Sequence, residues 1–234
     1  MMLNAKSLLD SLTGSLGQVT GGQGAKGLTE KAKETWNNQS TLGKGAIAGG
    51  LLGILLTQGG RRLLGTGVRV GGAALIGGLA YKAYEDWKAG KPARVEDGPI
   101  SLPAPDGTEF LPADPVAADD LATRILQAMI AAAKADGHVT PDERARIDAQ
   151  LPNLGLGPEA TTLIAAELDA PLDVGRVAAL ARTEREATEI YAASLLVVDE
   201  NAPAEKGYLA MLAARLGLDP ALVAHLHAKA AQLA

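Results

Sequence analysis

From Gly45 to Gly60 the chain reads GAIAGGLLGILLTQGG without a single charge, and this stretch most narrows what the polypeptide can become. Arg61 and Arg62 interrupt it, and LLGTGVRVGGAALIGGLAY then runs on to Tyr81 with Arg69 as its one charge. A helix needs about 20 apolar residues to cross the hydrocarbon core of a bilayer. The first run is short for that, and the second is long enough if Arg69 snorkels to a nearby surface. In a water-soluble helix each glycine costs about 1 kcal/mol relative to alanine, which weighs against a buried soluble helix pair. Glycine is commoner in spanning helices. Gly45, Gly49 and Gly53 sit four apart, as do Gly67 and Gly71, the spacing that lets two helix backbones approach closely in lipid. Tyr81, Tyr84 and Trp87 follow at helical spacing beside Lys82 and Lys88, the composition of an interfacial anchor. Residues 45–88 are therefore expected to form a membrane helix or hairpin that self-associates through its glycines. Arg61, Arg62, Tyr81, Lys82, Tyr84 and Trp87 are placed at the membrane interface.

The charge distribution divides the rest. Residues 1–94 carry 12 Lys/Arg against 5 Asp/Glu, residues 95–115 carry 5 acids and no base, and residues 116–234 carry 10 bases against 17 acids. An acidic C-terminal half would be repelled by phosphate, so no nucleic-acid partner is expected. The chain has no cysteine, which excludes disulfides and Cys-ligated metals. Its first residues lack the apolar core and small-residue cleavage site of a secretory signal. Residues 1–44 are polar and Gly-rich, with a short amphipathic pattern at Leu8, Leu9, Leu12 and Leu16. Residues 89–115 hold six of the twelve prolines and read as a stiff, extended linker.

Residues 116–234 are Ala/Leu-rich and predict helices near 117–135, 140–151, 158–168, 172–182, 184–198, 203–216 and 220–233. The sequences at 140–143 and 183–186 fit the capping box. Asp219-Pro220 and Gly157-Pro158 each place a cap before a proline at the first helical position. Shifted by 62 residues, this region matches itself. Pro141 falls on Pro203, Glu143 on Glu205, Ile147 on Leu209, Leu154 on Leu216, Gly155-Leu156 on Gly217-Leu218 and Pro158 on Pro220. With one gap, Asp136 matches Asp199. Such a repeat predicts two packed copies of one helical unit, with two equivalent acidic corners. Asp136, His138, Asp142 and Glu143 in one corner, with Asp199, Glu200 and Glu205 in the other, offer oxygen ligands for a hard cation. The bland alternative is that these are helix caps favoured by the dipole. The metal candidates are Asp136, Asp142, Glu143, Asp199 and Glu205.

No catalytic residue is nominated. His225 and His227 lie two apart on the last predicted helix and face different ways, with no zinc spacing. Ser194 lies in an apolar run without a nucleophile elbow. The glycines match no phosphate loop.

AKADGHVTPDERARI and VVDENAPAEKGYL resemble the two corners of the TerB-like domain of tellurite-resistance proteins. The order SLLDSL, a Gly-rich apolar middle ending LAYKAYEDW, then MIAAAKADGHVTPDE and EIYAASLLVVD, is similar to the YebE-like inner-membrane family. That resemblance implies an all-α fold: a seven-helix TerB-like bundle with an internal pseudo-two-fold repeat, behind a Gly-rich membrane segment. It also implies acidic surface residues suited to a divalent cation such as calcium, and no established activity. Glu200 and Asn201 depart from the Gly-containing turn expected at the second corner. The expected protein is a non-catalytic one of the bacterial inner membrane, presenting a cytoplasmic interaction domain to an unknown protein partner and linked to envelope or tellurite/metal stress. The rivals are a metal-dependent hydrolase using the acidic corners and a soluble self-assembling scaffold. Basic flanks on both sides favour a hairpin, whereas Arg61 and Arg62 at its tip favour a single span or a re-entrant loop.

Overall fold

A computed structural model describes residues 72–95, 100–136, 144–145, 147–148 and 158–233. Among these residues there are seven α-helices and no strand: α1 Gly72–Lys88, α2 Pro115–Ala133, α3 Pro158–Asp169, α4 Val174–Ala178, α5 Glu184–Leu195, α6 Pro203–Leu216 and α7 Pro220–Ala231. The all-α expectation holds. Gly45, Gly49, Gly53, Gly67, Gly71, Arg61, Arg62, Asp142 and Glu143 lie outside the described residues, as does most of the helix predicted over 140–151.

Helix α5 is the hub. Every residue from Ala187 to Leu195 is buried, as expected of a helix surrounded by others. It packs against α2, α1, α6 and α7, while α3 lies on α2 and α4 on α6. Thr183 caps its start, accepting from the Glu186 N–H at 3.1 Å. The reciprocal half of the expected capping box is displaced by one residue: the Glu186 carboxylate accepts from the Arg182 N–H at 2.6 Å. The Asp219 cap before Pro220 forms as expected, accepting from the Ala221 N–H at 2.7 Å. Asp114 does the same for α2, accepting from the Ala117 N–H at 2.8 Å ahead of Pro115. Helix α6 ends at Gly217, whose φ of 66° is costly for any residue with a Cβ.

Two sequence expectations are corrected. Helix α1, assigned to the membrane segment, is part of the bundle and packs against α7 and α5. Its buried stripe is Leu75, Ile76, Leu79, Ala80, Ala83 and Tyr84, a helical periodicity whose apolar face meets protein. No helix among the described residues is long and apolar enough to cross a membrane. The proline-rich stretch is also more than a linker. Phe110 and Leu111 are buried, and Ile100 and Leu102 rest on the core. Residues 100–114 thus form a strap across α1, so position 116 does not separate two packing units.

Candidate functional site

The second acidic corner is described in full. After α5 the chain turns at Asp199, Glu200 and Asn201 before Pro203 opens α6. Asp199 Oδ1 accepts from the backbone N–H and the side-chain amide of Asn201, both at 2.9 Å. Glu205, in the first turn of α6, accepts from the Asp199 N–H through Oε2 at 2.5 Å. Burial raises the Glu205 carboxyl, the Asp199 N–H opposes this, and the charges of Asp199 and Asp136 raise it further. Asp136, exposed just beyond α2, and Asp199 therefore act on the same carboxyl. Three of the five nominated residues share one field.

Chemically this is a turn held by its own carboxylates, since the N-cap of α6, Ala202, has no side-chain cap. Asp199 and Glu205 each turn an oxygen to backbone N–H groups. Among the described residues no three of His, Cys, Asp or Glu gather as a metal-holding set. Of the five nominated ligands, Asp142 and Glu143 lie outside the described residues.

Glu200 turns away from that field. Its Oε2 lies 2.5 Å from His227 Nδ1, and His227 Nε2 lies 2.9 Å from the Tyr191 hydroxyl. His227 Nδ1–H donates to the Glu200 carboxylate, and Nε2 meets the Tyr191 hydroxyl. Burial and the Glu200 charge push the Tyr191 phenol up to about 12, so it stays protonated. His225 takes another route, placing Nε2 3.0 Å from the Lys91 carbonyl oxygen. Ser194 is core, donating to the Ile190 carbonyl at 2.9 Å.

Of the residues nominated for a membrane interface, the four described ones, Tyr81, Lys82, Tyr84 and Trp87, make contacts to protein. Tyr84 is buried, with its ring centroid 5.7 Å from that of Phe110 and 5.5 Å from that of Trp87, and its hydroxyl donates to Glu184 at 3.2 Å. Tyr81 and Trp87 are half-buried, with Tyr81 5.5 Å from the Phe110 ring. Lys82 donates to Asp86 at 2.8 Å. Aromatic spacing that suits a lipid interface equally suits a strap and a neighbouring helix.

Three buried acids were not singled out from the sequence: Asp86, Glu189 and Glu167, the last held by Arg176 at 3.0 and 2.7 Å. Asp86 receives Lys82 and Lys91 on one oxygen, at 2.8 and 2.7 Å, and Lys229 on the other at 3.3 Å. Burial would raise its carboxyl, yet hydrogen bonds from the three lysines hold it well below the usual carboxylate range. Glu189 is fully buried on α5, and neither of its oxygens has a hydrogen-bond partner among the described residues. Its place inside EIYAASLL was a legible signal, a lone acid opening an apolar run.

The family model described as "Protein of unknown function (DUF533)" matches residues 41–230. The chain is also similar to the "Uncharacterized protein in ampR 5'region" of Yersinia enterocolitica, with 33% identity over 94 residues, covering 40% of this chain and 68% of that one. No solved structure matches it.

Proposed function

The chain belongs to the DUF533 family, a TerB-like family, and from that premise we propose that it is a non-catalytic, membrane-attached protein whose helical domain offers an acidic corner to a basic partner. The observation that carries this reading is the gathering of Asp136 and Asp199 around Glu205, whose carboxyl is raised first by burial and then by those two charges. Like charges held together at a surface are relieved by a complementary cationic group. The 62-residue duplication supports treating Asp136 and Asp199 as equivalent helix ends. The resemblance to YebE-like inner-membrane proteins supports placing the apolar run before α1 in the bacterial inner membrane, with the bundle on the cytoplasmic side.

Calorimetric titration of the full chain with a lysine-rich peptide and, separately, with calcium tests the corner. Peptide heat that is lost in an Asp199→Asn, Glu205→Gln variant and suppressed by salt supports it. Absence of heat from both titrants removes it, and calcium heat without peptide heat replaces the partner with a cation. Alkaline carbonate extraction tests attachment independently, because release of the chain from membranes would overturn it.

A further inference from the structure

Glu189 lies where α1 and the strap close over α5. A Cβ built on Gly77 of α1 would stand 2.6 Å from the Phe110 carbonyl oxygen, 3.3 Å from Pro105 and 3.4 Å from Glu189 Oε1. The carboxyl, a strap carbonyl and a helix backbone are thus crowded together, with the carboxyl fully out of solvent and unpartnered among the described residues. A negative charge placed there, fully buried and with no hydrogen-bond donor among the described residues, is far costlier than a neutral acid. We infer that Glu189 is a proton-operated latch: protonated, it lets α1 and the strap seat on α5, and ionised, it drives them off.

The surrounding charges favour the neutral form. Burial raises the Glu189 carboxyl well above its ordinary value, and the Glu186 charge on the preceding turn raises it further. Arg124 of α2 opposes this; its terminal nitrogens are engaged by Glu186 at 2.7 and 2.9 Å and by Asp120 at 3.2 Å, while its buried Nε has no hydrogen-bond partner among the described residues. On the strap, Glu109 pairs with Arg185. On α1, Lys82 pairs with Asp86, and Tyr84 donates to Glu184. From α7, His225 reaches the Lys91 carbonyl and Lys229 reaches Asp86. The sign follows from linkage. A carboxyl raised on folding gives a seam that is tight below its ordinary pKa and loosens as pH rises toward the raised value. Because α1 follows the apolar run in sequence, the latch controls how firmly the bundle is held to whatever holds that run.

Hydrogen exchange of the full chain, followed peptide by peptide from pH 5 to 8 and corrected for intrinsic rates, reads the seam directly. Within the window between the two pKa values, opening of α1 and the strap in the wild type should rise about tenfold per pH unit, as one released proton requires. Glu189→Gln and Glu189→Leu should abolish that slope. An unchanged slope in either folded variant overturns the latch, as does α1 exchanging in step with α2 and α6 at every pH. If neither variant folds, infrared spectra of the wild type decide. A protonated carboxylic-acid band persisting at neutral pH sustains the proposal, and its absence ends it.

Discussion

Replacing Asp86 with Asn should be among the most damaging single changes in this bundle. Lys82 and Lys91 both bond Oδ1, at 2.8 and 2.7 Å, so their ammonium groups stand about 4–5 Å apart and repel by about 3–4 kcal/mol at an effective dielectric of 20. Relief is unequal. The Lys82 and Lys91 side chains are 27% and 56% exposed and can swing into water, whereas Lys229 is 4% exposed and cannot. The cost is therefore that of breaking the buried Asp86–Lys229 ion pair, about 3–5 kcal/mol. Urea denaturation of the purified chain, followed by circular dichroism, measures it. An Asp86→Asn, Lys229→Met double variant should recover most of the loss, because an apolar side chain replaces the buried ammonium. A single-variant loss below about 1 kcal/mol, or a double variant no better than the single, would refute the reasoning. Asp86 also sets a pH limit. Its carboxyl is held below the ordinary value of 3.8, so its stabilisation is complete above that pH and declines as pH falls beneath it. In Asp86→Asn that acid-side loss should shrink.

Gly77→Val should loosen the strap, because a Cβ 2.6 Å from the Phe110 carbonyl forces backbone to move. Thermal melts should show a loss of about 1–3 kcal/mol, and an unchanged midpoint would mean that the strap yields freely. A chain beginning at residue 116 should fail to fold, since it strips α1 and the strap from the buried face of α5, whereas one beginning at residue 72 should fold. Circular dichroism of the two separates these outcomes, and a cooperative melt from the shorter chain would contradict the placement of α1.

Helix type and position in the C-terminal half were legible because local chemistry decides them. Pro158, Pro203 and Pro220 each open a helix, and Gly217 closes one, as their backbone preferences dictate. The five-residue α4 was overextended to 172–182, because Asp173 caps it but nothing in the sequence announces how soon it stops. Strap burial was illegible for a related reason. Six prolines do exclude helix and central strand, but a non-helical chain can still lie on a core. Only Phe110, the one phenylalanine in the chain, hinted that it does. At the candidate site, the contact between Glu205 and Asp199 follows from a short loop. The field from Asp136 and the link from Glu200 through His227 to Tyr191 depend on packing between helices far apart in sequence.

The misreading of α1 shows where composition alone runs out. Glycines, aromatics and flanking lysines in LIGGLAYKAYEDWK describe two different surroundings with one vocabulary, since close approach and amphipathic rings serve lipid and protein alike. The discriminating residue is Asp86. It lies one position from Trp87, at helical spacing from Lys82, and an acid in an interfacial aromatic cluster needs a dedicated partner. The i,i+4 lysine is visible in the sequence and solvates it only in part. The buried partner is Lys229, in the last turn of α7, which no local reading can pair with it. An acid that draws cations from both its own helix and a distant one marks a helix whose inner face is set by protein contacts. Helix α1, which follows the apolar run in sequence, is therefore a packed element of the bundle, and the seam that Glu189 guards is the point at which it can give way.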